Sequence, residues 1–311
     1  MIPAPTATRP PTTRQPSDRQ PGDRQPTARQ LADRYGLVRP GARPPLGAYT
    51  RLLWGRRHFV LAYTQARLST MYAGARLGQL WKLLTPILNI AVYYLVFGIM
   101  LKQRQHTGTG NYISFLCVGI FVFTYTRESV TTGGKSVSDR LELIRAVQFP
   151  RACLPLAAVL VQLEQLLMSL LVVGVIVLAT GEPLTVHWLL IAPALALQTL
   201  FNTGLAMILA RVVATVRDLG EVVPFVMRTW MYTCGVMYSI DAVTRNAPTA
   251  VAAALKLNPG AVYIELVRGA LLASYPPLPV WTWAVAGGWA VASALVGYVW
   301  FWRAEDRYGR G

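Results

Sequence analysis

The chain has 311 residues, 53% of them hydrophobic and only 14% charged, yet its formal net charge is +16, from 30 Lys and Arg against 14 Asp and Glu. An average soluble domain carries about a quarter charged residues. Low charge, a positive mean hydropathy of +0.37 and the separation of basic residues from long apolar runs exclude a disordered basic protein and a soluble nucleic-acid binder. They point to a helical membrane protein whose Lys and Arg mark cytoplasmic ends.

Residues 1–46 read as a disordered cytoplasmic tail. Arginine recurs every five positions from Arg9 to Arg39, within a repeat running Arg14-Gln-Pro-Ser-Asp, Arg19-Gln-Pro-Gly-Asp, Arg24-Gln-Pro-Thr-Ala and Arg29-Gln-Leu-Ala-Asp. Proline breaks helices and almost nothing there is apolar enough to bury. The apolar run of a secretory signal is missing.

Residues 47–311 read as one transmembrane domain. In 48–76, Leu52, Leu53, Phe59, Val60, Tyr63, Leu68 and Met71 interleave with Arg51, Arg56, Arg57, Arg67 and Arg76. That many arginines cannot cross a bilayer, but they suit an amphipathic helix lying in the interface with its arginines toward phosphates. Six apolar segments follow, at about 83–101, 112–126, 152–178, 183–210, 222–240 and 279–302. A span needs about 20 residues at a rise of about 1.5 Å each, and the second segment is the shortest. Two charges fall inside the spans, Glu164 and Arg228.

With the N-terminus in the cytoplasm, 24 of the 30 basic residues fall on the inside, five outside and Arg228 within a span. That bias predicts an all-α polytopic protein, N-in and C-in. Helices three and four are joined outside by Gly181-Glu182-Pro183. The inside loop 127–151 mixes charges with Leu141, Leu143, Ile144, Val147 and Phe149. The outside loop 241–278 is broken by Pro248, Pro259, Pro276 and Pro277, and is expected to dip into the outer leaflet as short re-entrant helices.

Catalytic chemistry is not evident. Cys117, Cys153 and Cys234, like His58, His106 and His187, are scattered, which argues against a disulfide framework or a metal site. Ser129-Val-Thr-Thr-Gly-Gly-Lys135-Ser136 resembles a phosphate-binding loop but has Ser where the first Gly belongs, and it follows an apolar segment rather than a strand. The chain is therefore expected to bind no ATP itself. Glu164 and Arg228 are open to two readings, an intrabundle hydrogen bond or ion pair, or a polar patch on a translocation path. Tyr93, Tyr94 and Phe97 lie deeper than an interfacial aromatic belt and are candidates to line a channel, where aromatic faces suit the C–H faces of sugars.

Five short stretches carry a resemblance: Leu77-Gly-Gln-Leu-Trp-Lys-Leu-Leu-Thr-Pro-Ile-Leu88 at the first helix, Gln148-Phe-Pro-Arg-Ala-Cys-Leu-Pro155 closing the inside loop, Arg217-Asp218-Leu after the fourth helix, Asn258-Pro259 in the outer loop, and Ala304-Glu-Asp-Arg-Tyr-Gly309. In this order and spacing, over roughly 48–309, the chain resembles ABC-2 type permeases that export polysaccharides, including the O-antigen, teichoic acid and mycobacterial galactan exporters. The resemblance implies a homodimer of six-helix subunits in the bacterial plasma membrane, powered by a separate ATPase subunit that holds ATP and Mg, with a lipid-linked glycan or polymer as substrate. It also implies a coupling helix in the inside loop, with Glu142, Phe149, Pro150 and Arg151 as coupling residues, and gate helices in the outer loop. A small-molecule or drug exporter of the same fold is the alternative, and a secondary transporter is a more distant one. The Arg/Pro tail departs from the pattern.

Overall fold

The computed structural model describes Leu31, Tyr35 and residues 44–71, 80–93, 95–96, 112–147, 149–245 and 247–305. The chain divides into a unit Met1–Ala42, of which only Leu31 and Tyr35 are described, and a unit Arg43–Gly311 that holds the helices below. The expected tail thus lies almost wholly outside the described residues.

Two helices open the second unit, α1 (Leu46–Gly55) and α2 (Arg57–Met71). Each buries one narrow stripe: Tyr49 in α1, and Val60, Thr64 and Leu68 in α2. The 4-residue spacing within α2 puts its three buried positions on one face, as an amphipathic helix requires. Next come α3 (Trp81–Tyr93), α4 (Tyr112–Lys135), a 3-10 turn (Ser138–Arg140), α5 (Leu141–Ala146) and α6 (Cys153–Ala179). A 3-10 turn (Val186–Leu190) leads into α7 (Ile191–Thr215), followed by α8 (Leu219–Thr233), α9 (Ile240–Thr244), α10 (Thr249–Lys256), α11 (Pro259–Leu271) and α12 (Val280–Trp302). Among the described residues there is no strand.

Among the described residues, four helical stretches are long and apolar enough to cross a bilayer: α4, α6, Val186–Thr215 and α12. The pair α10 and α11 also qualifies together, bent by 66°. This pair falls in the 241–278 segment, where short helices are expected. The expected span 83–101 is described only in part, as α3 and residues 95–96.

Two boundaries differ from expectation. The 112–126 segment runs on as helix to Lys135, because Gly133 and Gly134 let it lie against Ala206 and Leu209 of α7. The glycine-rich stretch that resembles a phosphate loop is therefore the last turns of a packed helix, with no room to cradle a phosphate. The 222–240 segment stops at Thr233: Gly235 adopts φ +65°, a left-handed turn that an L side chain rarely tolerates, and the chain reverses before α9. At about 1.5 Å per residue, a 15-residue helix falls short of an apolar core of about 30 Å.

The core forms around α4, whose Phe115, Val118 and Val122 are fully enclosed by α6, α7, α8 and α11. The broadest interface joins α7 to α12. There Ala286, Ala290, Ser293 and Gly297 form one small-residue stripe on α12, and Ser293 Oγ donates to the Phe201 carbonyl at 3.3 Å. Small side chains let helices approach closely, where dispersion and interhelical hydrogen bonds replace the hydrophobic drive that lipid cannot supply.

Candidate functional site

Three sets of polar side chains stand out in this apolar bundle. The first is where the 136–152 loop meets both ends of the domain. α6 begins with Ala152 at its N-cap, a residue with no side chain to receive the helix's free N–H groups. The partners come from far along the chain. The Glu305 carboxylate accepts from the Arg151 N–H at 3.0 Å and from the Tyr49 hydroxyl at 2.9 Å, and that hydroxyl in turn accepts from the Ala152 N–H at 3.3 Å. Tyr49 is 1% exposed and Glu305 7%. Burial first, and the Glu305 charge second, push the Tyr49 hydroxyl well above its ordinary pKa, which keeps it protonated as a donor. Thr50 pairs with Tyr298 at 2.8 Å, and Trp302 Nε1 donates to the Pro44 carbonyl at 3.0 Å. One carboxylate thus ties together α1, the start of α6 and the end of α12. Removing a charged acceptor from buried N–H and O–H groups costs about 2 kcal/mol. Glu305→Ala is therefore expected to lower the melting temperature of the purified protein measurably and Tyr49→Phe to do so less. Unchanged melting of Glu305→Ala would show that water caps α6 instead.

The expected coupling residues divide into two kinds. Glu142 is exposed on α5, beside exposed Arg145. Phe149 instead turns inward: half-buried, its ring lies 5.1 Å from Phe59 of α2. Pro150 is buried and Arg151 contributes its backbone N–H to Glu305. Arg140 of the same loop lies over the Tyr63 ring of α2 at 5.9 Å. The loop therefore presents charge outward through α5 and grips α2 with its aromatic end.

The second set holds Glu164. Gln162, Glu164 and Gln165 of α6 line a cavity of about 120 Å³ with Thr85 and Asn89 of α3 and Phe121, Thr124, Tyr125 and Glu128 of α4. Leu68 closes it from α2, and Gln165 reaches the Met71 sulfur at 3.5 Å. Arg228 does not join Glu164 there; it is exposed on α8, along with Val222, Phe225 and Val226. Of the channel-lining candidates, Tyr93 closes α3, and Tyr94 and Phe97 lie outside the described residues.

The third set is at the opposite end of the bundle. Arg268 falls in the loop region of the sequence, yet its side chain is entirely enclosed. It donates to the carbonyls of Phe115 (3.1 Å), Gly235 (2.9 Å) and Val236 (2.8 Å) and lies over the Phe115 ring at 3.4 Å. Asn258 caps α11 by accepting from the Gly260 N–H at 3.1 Å, with Pro259 at the first helical position. The same oxygen accepts from Trp230 Nε1 at 2.9 Å, while the Asn258 amide donates to the Thr233 carbonyl. The Asn258-Pro259 pair thus anchors α11 to the end of α8.

Sequence reasoning missed Tyr49, Glu305 as a capping group, and Arg268 as a buried clamp. A readable signal existed for one of them, since an α6 that starts on Ala152 needs an acceptor from elsewhere. Among the described residues no three His, Cys, Asp or Glu side chains converge as a metal site would require.

Comparison with known proteins places this geometry. The pattern of the ABC-2 type transporter family matches residues 58–272. The O-antigen export system permease protein RfbA of Myxococcus xanthus is 31% identical over 209 residues, 67% of this chain and 78% of the relative. Two proteins of the same name from Klebsiella pneumoniae are 25% and 24% identical, each over 185 residues, 59% of this chain and 70% of each relative. The matched region runs from helix α2 through the clamp at Arg268, and the chain belongs to the ABC-2 type transporter family, as a multi-pass membrane component of a transport system.

Proposed function

We propose that the chain is the permease subunit of an ATP-driven exporter that moves a lipid-linked cell-envelope polysaccharide across the bacterial plasma membrane. The observation that carries this reading is the similarity to three O-antigen export permeases across 185 to 209 residues. The ATP-hydrolysing partner sits on another chain and docks on the inside loop, where Glu142 and Arg145 of α5 offer exposed charges of both signs. Movement of α5 then passes along Phe149 to α2, and through the Arg151 and Ala152 N–H groups to Glu305 and α12.

A second copy completes the passage. The support is α8, a helix with an exposed apolar face that carries Arg228. An arginine facing lipid is costly, so in the membrane this face meets protein or water. The charge bias along the sequence supports an orientation with both termini in the cytoplasm, and residues 1–46 are then a cytoplasmic tail.

Two experiments test the reading. The tagged chain is expected to co-purify with an ABC-type ATPase and with a second copy of itself, and transport by the purified chain alone down an ion gradient would overturn it. Phe149→Ala is expected to leave the protein inserted and bound to its ATPase, yet to lower polymer export severalfold relative to ATP hydrolysis, because the link from α5 to α2 is cut. Full export by that variant would remove Phe149 from the coupling path.

A further inference from the structure

The contact between α4 and α7 carries polar side chains on both helices, and they are paired along only part of it. The Gln198 amide donates to the Val122 carbonyl at 2.9 Å and to Thr126 Oγ1 at 3.0 Å, and the Tyr125 hydroxyl donates to Thr199 at 2.8 Å. One turn further along both helices the pairing stops. Asn202 is fully enclosed, yet neither its amide oxygen nor its amide nitrogen has a hydrogen-bond partner among the described residues. The same holds for Ser129 Oγ, also fully enclosed, and for Gln198 Oε1. Four of the seven enclosed side-chain atoms without a partner among the described residues thus fall on three side chains of this one contact, so a shared cause explains them better than separate ones.

Spacing and chemistry together define an occupant. The Tyr125 hydroxyl stands close to both Ser129 and Asn202 without meeting either in hydrogen-bonding geometry. Polar groups held just beyond direct reach are the arrangement that a bridging molecule completes. Its bonding must run both ways: the Asn202 N–H groups need an acceptor, while Asn202 Oδ1 and Gln198 Oε1 need a donor. A metal cation cannot accept and a simple anion cannot donate. Ser129 and Asn202 are both 0% exposed, which excludes a segment of a polymer or an acyl chain. Water meets each condition, and the four atoms can supply the roughly three hydrogen bonds that a buried water makes.

We propose that α4 and α7 enclose a binding site for ordered water, which bridges Ser129 of α4 to Gln198 and Asn202 of α7. The contact between these two helices then has a directly bonded stretch, at Gln198 and Tyr125, and a water-bridged stretch before Gly133 packs on Ala206. The site does not depend on the export function.

The test is X-ray radiolytic labelling of the full chain in lipid nanodiscs. The pulse splits water into hydroxyl radicals, which oxidise the side chains beside which they form, so an enclosed residue is labelled where ordered water touches it. Tyr125 is the reporter. Tyr263 is the control, an enclosed tyrosine whose hydroxyl already donates to the Ala286 carbonyl at 2.9 Å. Tyr125 is expected to label severalfold faster than Tyr263, and equally slow labelling of the two marks a dry contact and overturns the proposal. That arm needs no variant. Tyr125 also lines the cavity beside Glu164, which Ser129 and Asn202 do not, so variants identify the source of the water. Ser129→Ala with Asn202→Leu, both near-isosteric, removes three of the four bridging atoms and is expected to bring Tyr125 labelling down to the Tyr263 level. Ser129→Ala alone, the milder change, is expected to lower it in part. Tyr125 labelling at the wild-type rate in either variant places the water in the cavity and overturns the site between α4 and α7.

Discussion

Gly204→Ala and Gly297→Ala are each expected to destabilise the protein by about 3 kcal/mol or more, toward the upper end of overpacking costs. A Cβ built on Gly204 falls on the backbone of Ser293 and Ala294, and one built on Gly297 falls on the backbone of Gly204. The obstruction is main chain, not the flexible end of a side chain, so relief requires α7 and α12 to move apart along the broadest interface in the domain. That separation would also strain the Ser293–Phe201 hydrogen bond. The same helix supplies its own control. A Cβ on Gly287 or Gly288 of α12 meets nothing within 4 Å, so Gly287→Ala and Gly288→Ala are expected to be neutral, or to stabilise by up to about 1 kcal/mol through helix propensity. Thermal unfolding of the four variants in detergent checks this. Equal melting temperatures for Gly204→Ala and Gly287→Ala would refute the close crossing.

Arg268→Met is the second large effect, because each buried carbonyl left without a donor costs about 1–3 kcal/mol. Methionine fills much of the volume but leaves the Gly235 and Val236 carbonyls without their donor, in a turn already committed to a positive φ. The clamp joins α11 to the start of α4 and to the end of α8, so the loss should appear first at that end of the bundle. Cys234 reports on it directly. It is a free thiol, 1% exposed, adjacent to the clamped turn. In the native protein a membrane-permeant maleimide should leave it unlabelled; in Arg268→Met it should react while Cys153, at the other end, stays protected. Arg268→Lys is expected to recover only part of the protection, since one ammonium cannot reproduce a planar fork aimed at three carbonyls. Gly119→Ala should mimic the defect, because its Cβ would displace the guanidinium. If Cys234 remains protected in Arg268→Met, the carbonyls have found other donors and the clamp assignment is wrong.

The amphipathic opening, the long apolar helices and the 127–151 loop with its short helix were legible because each depends on local periodicity or on composition. Arg268 shows where legibility stops. By sequence it is one more basic residue in a Pro-broken loop, counted among charges outside the membrane. Its burial depends on Phe115, 153 positions away, and on Gly235 and Val236. Phe149 is a milder case. Its place in the 127–151 loop was readable, but not that its ring packs inward on Phe59.

Glutamate 305 draws the same line most sharply. Hydropathy and charge are enough to specify a multi-pass helical protein, the order of its helices and the excess of positive charge along one set of its loops, because they act through the bilayer on each segment separately. Which polar residues matter within it depends on how the helices pack. A helix that starts on Ala152 cannot cap itself, and its acceptor arrives from 154 residues downstream with Tyr49 as the bridge. Likewise the glycines that control packing are those at which two backbones meet, a property of the crossing and not of either helix alone. In an apolar medium each buried donor or acceptor must find a partner or pay the full desolvation cost, and the identity of that partner is set by how the helices pack.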